Sequence, residues 1–346
     1  MLKLFATNLL VICFNIYMLS FNSYFELLNL NILFTIPLVN TINKPIDNSK
    51  LNPDFITGFT DGDGSFIIRI TKKNKLKTGW EIQPTFSIHL ASKDKTLLYQ
   101  IQNFFGVGSI SINKRDESVV LSISSLKDLT SVIIPHYIKY PLLTKKRADF
   151  ELFKKVIDIM VNKKHLTPEG LNKILSLKAS INLGFSDVLS QAFPNITPIP
   201  RPNVEICYTD ISPNWVTGFT ESEGCFLIHI QQSSRSKLGK TVKLCFKISQ
   251  HERDQELLYL IMKYFKCGTL HTNGNSKEII VTRFQDVLNI VIPFFDKYPL
   301  HGEKRLNYED FVKVAELMQN KAHLTSEGFD KILVIKSGMN IGRDHN

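Results

Sequence analysis

Two pairs of acidic residues recur in the same sequence context along this chain. Asp61 and Asp63 lie at the end of the segment ITGFTDGDG, and Glu221 and Glu223 lie at the end of VTGFTESEG. A single acidic pair is usually only a solvated helix end. Here, however, both pairs fall where a helix dipole is negative and disfavours carboxylates, so a cation is needed to balance them. Carboxylate and carbonyl oxygens suit Mg²⁺, and the spacing therefore favours a divalent-metal site.

The two acidic segments belong to a longer internal repeat. Residues 52–66 match residues 212–226 at a spacing of 160, and the Tyr-Pro-Leu at 140–142 recurs at 298–300 at a spacing of 158. Matches that stay in register over this length indicate a tandem duplication of one domain. Two copies are too few for a solenoid.

Each copy predicts the same order of elements. Asn52 and Pro53 suit the N-cap and first turn of a helix that ends at Gly64, where glycine can terminate it. Residues 65–71 then alternate between polar and apolar, as in a strand with one wet and one buried face. With the remaining strands and helices, the pattern predicts an αββαββα order plus one extra helix. This is an α+β fold with an antiparallel sheet in each copy.

Glycine lies in the middle of the first predicted helix of each copy. Gly58 and Gly218 weaken a helix interior by about 1 kcal/mol relative to alanine. We interpret them as sites where the two helix backbones pack closely around a pseudo-twofold axis. The acidic helix ends would then meet, with Asp63 beside Glu223.

Composition changes mark four segments, which we expect to be an extension at 1–46, a domain at 47–187, a linker at 188–203 and a second domain at 204–346. The residues from 4 to 25 carry no charge, and asparagines interrupt them. A membrane or leader segment and a loosely structured extension both fit that pattern. Gln191 to Asn203 contains four prolines. This predicts a semi-rigid connector that is neither a helix nor a central strand.

The charge balance points to a polyanionic partner. Lys and Arg number 42 against 32 Asp and Glu, a formal net charge of +10, so the partner is a nucleic acid or an acidic membrane surface. The five cysteines are an odd number with no C-x-x-C pair, which disfavours a disulfide scaffold and a zinc ribbon. A hydrophobic content of 43% excludes a wholly disordered chain.

The duplicated acidic motif resembles that of the LAGLIDADG homing endonucleases. The resemblance extends over about residues 50–345, and the Tyr-Pro-Leu, His-Leu-Thr-x-Glu-Gly and Asn-x-Gly features are similar to the single-chain fungal mitochondrial group encoded within introns. It implies two pseudo-twofold related domains, each with a saddle-shaped antiparallel sheet. It also implies site-specific hydrolysis of double-stranded DNA across the minor groove, with Mg²⁺ or Mn²⁺ as cofactor.

The resemblance assigns the metal site to the helix ends. It implies that Asp63 and Glu223 bind the metal, and that the backbone carbonyls of Gly62 and Ser222 are auxiliary ligands. The first acid of each motif, such as Asp61, is expected to serve helix capping and packing instead.

The resemblance also implies further active-site residues. Lys146 and Lys304, each after a Tyr-Pro-Leu, fall near the family's active-site lysine. Gln250 falls on a polar residue that positions the water. The first copy has Leu90 at that place, so the two sites are expected to cut at unequal rates.

Polar residues on the wet strand faces are the candidates for base contacts in the major groove, because Arg and Lys can read guanine and Gln can read adenine. The alternative is that they are ordinary exposed polar residues. The lysine-rich loop at 72–77 and the loop at 233–237 are expected to contact phosphate instead. The candidates for DNA contact are Ser65, Arg69, Thr71, Gln83, Thr85, Ser87, His229, Gln231, Thr241, Lys243 and Lys247.

Two other functions remain open from the sequence. Some members of this family are maturases, which bind their host intron RNA and help it to fold, and a sheet-based DNA-binding regulator without catalysis is a third possibility. The presence of both Asp63 and Glu223 favours cleavage. The resemblance also implies a monomer with a long asymmetric DNA target and a mitochondrial location.

Overall fold

The structure is a computed structural model that describes residues 51–204 and 211–343. The extension predicted at 1–46 lies outside the described residues. Within the described part, no helix combines the length and the hydrophobicity needed to cross a membrane.

The first repeat consists of a helix, two long strands, a helix, two short strands and three further helices. A helical turn (Leu126–Asp128) and a π-helical turn (Leu129–Ile133) lead directly into the helix that begins at Ile134. The elements are α1 (Pro53–Asp63), β1 (Gly64–Lys72), β2 (Trp80–Ala91), α2 (Lys95–Phe105), β3 (Ser109–Asn113), β4 (Ser118–Ile123), α3 (Ile134–Lys139), α4 (Lys146–Val161) and α5 (Pro168–Lys178).

The second repeat has the same order and nearly the same lengths, after one short intervening helix, α6 (Asp187–Ala192). This confirms the predicted α+β fold and the duplication, although three helices close each repeat where the sequence predicted two. The elements are α7 (Pro213–Glu223), β5 (Gly224–Gln232), β6 (Lys240–His251), α8 (Gln255–Phe265), β7 (Thr269–Asn273), β8 (Ser276–Val281), α9 (Ile292–Lys297), α10 (Lys304–Gln319) and α11 (Ser326–Ser337).

Each repeat forms one four-stranded antiparallel sheet. The strand orders are β1-β2-β4-β3 and β5-β6-β8-β7. Arg69 pairs with Gln83 in the first sheet, and His229 pairs with Lys243 at the matching place in the second. Because side chains alternate between faces, this register places the polar residues of neighbouring strands on one shared face of each sheet.

The opposite face of each sheet packs against the helices. Phe66 on β1 contacts the rings of Phe86, Tyr137, Phe150 and Phe153 at centroid distances of 5.3–5.4 Å. The equivalent Phe226 in the second sheet is surrounded by aromatic rings in the same way. The buried aromatic cores hold the strands and the helix ends in fixed positions.

The start of α1 is capped as predicted. The glycine that follows the helix is needed for a different reason from the one predicted. The Asn52 side chain accepts a hydrogen bond from the Asp54 amide. Gly64 is extended, with φ −80° and ψ 155°, and is not a left-handed cap. Glycine is required there because a Cβ would lie 2.4 Å from Cγ2 of Thr60. The helix therefore runs into β1 without a turn, which keeps Asp63 rigidly at the junction.

The proline-rich connector differs from the prediction at its start. Gln191 and Ala192 are the last residues of α6, so the helix continues until just before Phe193 and Pro194. The ring of Phe193 then packs on Trp80 at 5.0 Å. Arg201 donates to the Asp149 carboxylate at 2.7 Å, so this part of the connector is anchored to the first repeat.

Candidate active site

Two helices at the centre of the molecule, α1 and α7, bring the repeats together. A Cβ on Gly58 would lie 2.1 Å from the carbonyl oxygen of Trp215, and a Cβ on Gly218 would lie 2.0 Å from that of Phe55. No side chain fits at either position, so the helix backbones are in direct contact. The structure thus agrees with the interpretation of these two glycines as packing positions.

The C-terminal ends of α1 and α7 meet at the acidic residues. A Cβ on Gly62 would lie 2.0 Å from Oγ of Ser222 and 3.3 Å from Cγ of Glu223. Asp63 is exposed and Glu223 is half-buried. The second acids of the two motifs therefore lie at one seam, where a ligand can reach them.

Burial and neighbouring charge shift the pKa values of both acids. Surrounding protein desolvates the Glu223 carboxylate and raises its pKa, and the negative charge of Asp63 raises it further. The pKa of Asp63 is also raised by desolvation, against the opposing effect of Lys304 and Lys146. Two carboxylates whose charged forms are disfavoured in this way are stabilised by a nearby cation.

A lysine from the first turn of a long helix reaches the end of each acidic helix. Lys146 Nζ donates to the carbonyl oxygens of Thr60 and Gly62 at 2.8 and 2.7 Å. Lys304 Nζ makes the matching bonds to Thr220 and Ser222, both at 3.1 Å. Burial lowers the pKa of both lysines, and the surrounding acids oppose that shift. These contacts place two cations at the seam beside the two acids.

The first acid of each motif is buried and bonded to the loop that leads to the lysine helix. Asp61 accepts hydrogen bonds from the amides of Leu143 and Thr144, the Thr144 hydroxyl and the indole of Trp215. Glu221 accepts from the amide of His301 at 2.8 Å. Both carboxylates are buried and accept hydrogen bonds from the protein, in line with the packing role expected for them.

A cleft opens on one side of the seam. Asp63, Leu90, Asp94, Ser222 and Lys304 contribute to its lining. Lys304 has the largest Coulombic influence on the pKa of Asp63. The acid of the first repeat is thus grouped with the lysine of the second, and Leu90 is one of several apolar residues that line the same cleft.

Gln250 lies near the end of β6, where it is half-buried. Its Oε1 accepts from the amide of the next residue, His251, at 2.7 Å. Leu90 holds the matching position near the end of β2, so the two sides of the seam differ in polarity.

The polar strand faces carry the residues predicted to contact DNA. Ser87 is the least accessible of them, at 9% exposure. Thr85 bonds to Ser124 at 3.0 Å, and Lys247 forms an ion pair with Glu278 at 3.1 Å. The exposed candidates are Arg69, Thr71, Gln83, His229, Gln231, Thr241 and Lys243, and the half-buried ones are Ser65, Thr85 and Lys247.

Two aspartates near the seam are absent from the sequence-based site. Asp94 and Asp254 end short 3-10 turns after β2 and β6 and bond to the opposite repeat. Their recurrence at the 160-residue spacing of the repeat is the signal that could have found them. Around the seam and elsewhere in residues 51–204 and 211–343, no three His, Cys, Asp or Glu side chains form a ready-made metal site.

Comparison with known proteins identifies the family. A family model described as LAGLIDADG endonuclease matches residues 56–157 and 216–315. The chain belongs to the LAGLIDADG endonuclease family. Both matched LAGLIDADG segments begin inside the first helix of a repeat, so each includes one acidic helix end and one sheet.

Two LAGLIDADG relatives come from Neurospora crassa. Probable intron-encoded endonuclease 3 is 41% identical over 289 residues, which cover 83% of this chain and 54% of the relative. Probable intron-encoded endonuclease 2 is 40% identical over 302 residues, which cover 84% of this chain and 65% of the relative. This chain thus spans less than two thirds of either protein.

Solved LAGLIDADG structures match almost over their full length. The I-SmaMI homing endonuclease bound to cleaved DNA has a TM-score of 0.82 at 42% identity, covering 85% of this chain and 99% of that one. I-SmaMI bound to uncleaved target DNA in the presence of calcium ions has a TM-score of 0.81. These matches confirm the fold as two tandem LAGLIDADG domains.

Proposed function

We propose that this chain is a site-specific, metal-dependent DNA endonuclease that hydrolyses one phosphodiester bond in each strand across the minor groove. The observation that carries the proposal is the seam, where Asp63, Glu223, Lys146 and Lys304 come together between two sheets with polar faces. The relatives above are named as probable intron-encoded endonucleases, and the matching structures are homing endonucleases bound to DNA. These comparisons favour cleavage over the maturase alternative.

The donor groups at the seam fit a hard divalent cation. Asp63 and Glu223 supply carboxylate oxygens, and the carbonyls of Gly62 and Ser222 each keep one lone pair beside the lysine bond. I-SmaMI was solved with calcium ions, a hard cation of the same class. We propose Mg²⁺ or Mn²⁺ as the physiological ion. When bound, it would lower the pKa of a water and stabilise charge on the reacting oxygens.

The two lysines and Gln250 complete the chemistry. Lys146 and Lys304 hold positive charge where negative charge develops on the scissile phosphates, and both are fixed in place before DNA arrives. Gln250 would orient the attacking water in one site. Leu90 cannot make a hydrogen bond, so the other site orients water less well.

The partner we propose is double-stranded DNA with a long asymmetric target, bound by one chain. Both motifs are in a single polypeptide, so two active sites need no second copy. The two polar faces also differ, since Arg69 and Gln83 occupy the places of His229 and Lys243. Because the polar faces of the two sheets carry different side chains, we expect them to recognise different sequences in the two halves of the DNA target.

We further propose that the enzyme acts in mitochondria and promotes homing of the intron that encodes it. The support is the set of intron-encoded fungal relatives. Another relative, from Podospora anserina, is named for its place in intron 1 of ND4 and is 43% identical over 122 residues.

The test is cleavage of the intron-less allele of the host gene by the purified chain. Wild-type protein with Mg²⁺ should cut both strands, and Asp63→Asn or Glu223→Gln should lower the rate by at least about 100-fold, because each change removes an anionic oxygen from the metal site. DNA binding by these variants, measured in Ca²⁺, should persist.

Asp116→Asn, at an exposed turn far along the chain from the motif, serves as the matched control and should cleave like wild type. Binding of the DNA without cleavage by wild-type protein in Mg²⁺ or Mn²⁺ would overturn the endonuclease assignment. Preferential binding of the intron RNA would point instead to a maturase.

A further inference from the structure

Each lysine helix is capped by a carboxylate from the opposite repeat. Asp254, after β6 of the second repeat, accepts a hydrogen bond at 2.7 Å from the amide of Lys145. Asp94, after β2 of the first repeat, accepts one at 3.0 Å from the amide of Glu303. Lys145 and Glu303 are the N-cap residues of α4 and α10, immediately before Lys146 and Lys304.

Neither helix is capped by the side chain of its own N-cap residue. Because the first amides of a helix have no intrahelical acceptor, a fixed acceptor outside the helix holds the first turn in place. The negative charge also complements the positive end of the helix dipole. Asp254 is only 4% exposed, so its bond is shielded from water.

We propose that Asp94 and Asp254 are positioning residues that set the active-site lysine of the opposite repeat. The expected effect on DNA cleavage rests on the proposed endonuclease function. Lys146 and Lys304 are the first helical residues after the capped amides. The Nζ atom of each donates a hydrogen bond to a backbone carbonyl at the seam. A shift of the first helical turn would therefore move the ammonium group away from the site.

The two caps belong to different active sites. Asp94 lines the cleft that contains Asp63 and Lys304. By the symmetry of the repeat, Asp254 belongs to the side that contains Glu223 and Lys146. Loss of one cap should therefore slow cleavage of one DNA strand, and loss of the other cap should slow cleavage of the opposite strand.

The caps also differ in strength. Helix α4 has a second capping bond, in which the hydroxyl of Thr144 accepts from the Lys146 amide at 3.2 Å. Gly302 holds the matching position in the second repeat and has no side chain to offer. The lysine helix α10 thus depends more on Asp94 than α4 depends on Asp254.

The test measures nicking of each strand separately, with the two strands labelled differently. Asp94→Ala should slow one strand by at least about fivefold, the effect expected from loss of one cap. Asp254→Ala should slow the other strand, by a smaller factor. A general loss of stability would instead slow both strands together.

Asparagine variants separate the cap from the charge. The amide oxygen of asparagine still accepts from a helix amide, so Asp94→Asn and Asp254→Asn should restore most of the strand-specific rate. Glu252→Ala, at an exposed residue beside the Asp254 cap, is the matched control and should leave the strand ratio unchanged.

Hydrogen exchange of the DNA-free protein tests the capping itself, whether or not cleavage is observed. Asp254→Ala should speed exchange of the amides from 145 to 148 and leave those from 303 to 306 unchanged, and Asp94→Ala should do the reverse. Unchanged exchange, or equal slowing of both strands by each alanine variant, would overturn the proposal. Absence of cleavage by wild type would refute only the endonuclease function.

Discussion

A buried imidazole distinguishes the first repeat from the second. His136 is 9% exposed, and burial lowers its pKa to about 4. Its Nε2 lies 3.2 Å from Oγ1 of Thr57. The equivalent residue of the second repeat is Phe294, which makes similar ring contacts. The site of His136 therefore accepts an apolar ring of similar size.

This histidine should destabilise the protein in acid. The folded pKa lies below the unfolded value near 6.5, so the unfolded chain binds the proton first and stability is lost as the pH falls from about 6.5 towards 4. The full loss is ~3 kcal/mol. His136→Phe should abolish this loss of stability in acid. The free energy of unfolding of wild type, relative to that of the variant, should therefore fall by ~3 kcal/mol between pH 7 and pH 4.

Urea titrations across this pH range measure the difference. The buried acids Asp61 and Glu221, whose pKa values are raised by burial, shift stability in the opposite direction, but they are common to both proteins. A constant difference at all pH values would show that His136 does not titrate with unfolding.

The seam is also asymmetric at Leu90. This leucine lines the cleft with Asp63 and Lys304, whereas the second repeat has Gln250 at the equivalent place. Because an amide can hold a water for in-line attack and an alkyl group cannot, the Asp63 side should cut its strand more slowly. Leu90→Gln should speed nicking of that strand by roughly tenfold.

The reciprocal variant provides the control for this prediction. Gln250→Leu should slow the other strand and leave the slower one unaffected, as followed by strand-specific labels. If Leu90→Gln changes neither strand, water is positioned by other groups and the polarity difference has no kinetic role.

At the level of elements, helices α1 and α7 are anchored differently to their own domains. Thr60 on α1 bonds to the hydroxyl of Tyr137 at 2.7 Å. Thr220, at the same place on α7, is fully buried, and its hydroxyl has no hydrogen-bond partner among the described residues. The second repeat has Phe295 where the first has Tyr137.

Phe295→Tyr should therefore stabilise the second domain. The added hydroxyl would meet Thr220 as Tyr137 meets Thr60, and one such bond contributes about 1 kcal/mol. Thermal unfolding should show a higher midpoint, while Tyr137→Phe should lower it by a similar or larger amount. A lower midpoint for Phe295→Tyr would mean that the pocket has no room for the oxygen.

The sequence predicted the elements better than the details of the contacts between them. Alternation and capping residues act locally, so the strands and the starts of α1 and α7 could be inferred without the fold. Gly58 and Gly218 even predicted the helix pair, because the cost of a mid-helix glycine needs a packing reason. Gly64 shows the limit of such reasoning, because glycine is needed there to avoid the methyl group of Thr60 and not to form a left-handed cap.

Contacts between the repeats were the part that sequence reasoning missed. In the sequence, Asp94 and Asp254 are ordinary polar residues a few positions after a strand, and only the fold brings the opposite lysine helix against them. Their partners are 209 and 109 residues away in the chain. No local pattern encodes such a distance, and only recurrence at the repeat spacing singles these aspartates out.

At the scale of the whole molecule, charge determines how the protein meets its target. The net charge of +10 includes exposed lysines in the loop between β1 and β2. Lys73 is paired with Glu81 at 2.6 Å, and Lys72, Lys75 and Lys77 are exposed beside it. Lys72 is the last residue of β1, and Lys75 and Lys77 lie in the loop that follows, where exposed lysines can neutralise phosphates without reading sequence.

Replacing Lys72, Lys75 and Lys77 together with alanine should weaken DNA binding to target and non-target sequences alike. Each phosphate contact releases nearly one counterion, so the slope of log K against log salt should decrease in magnitude by about three. Fluorescence anisotropy in Ca²⁺ across a salt series measures that slope. Lys331→Ala, on an exposed face of α11 in the second repeat, is the control and should leave the slope unchanged. An unaltered slope in the triple variant would place the β1–β2 loop outside the DNA interface, whereas a loss confined to the target sequence would assign these lysines to base recognition.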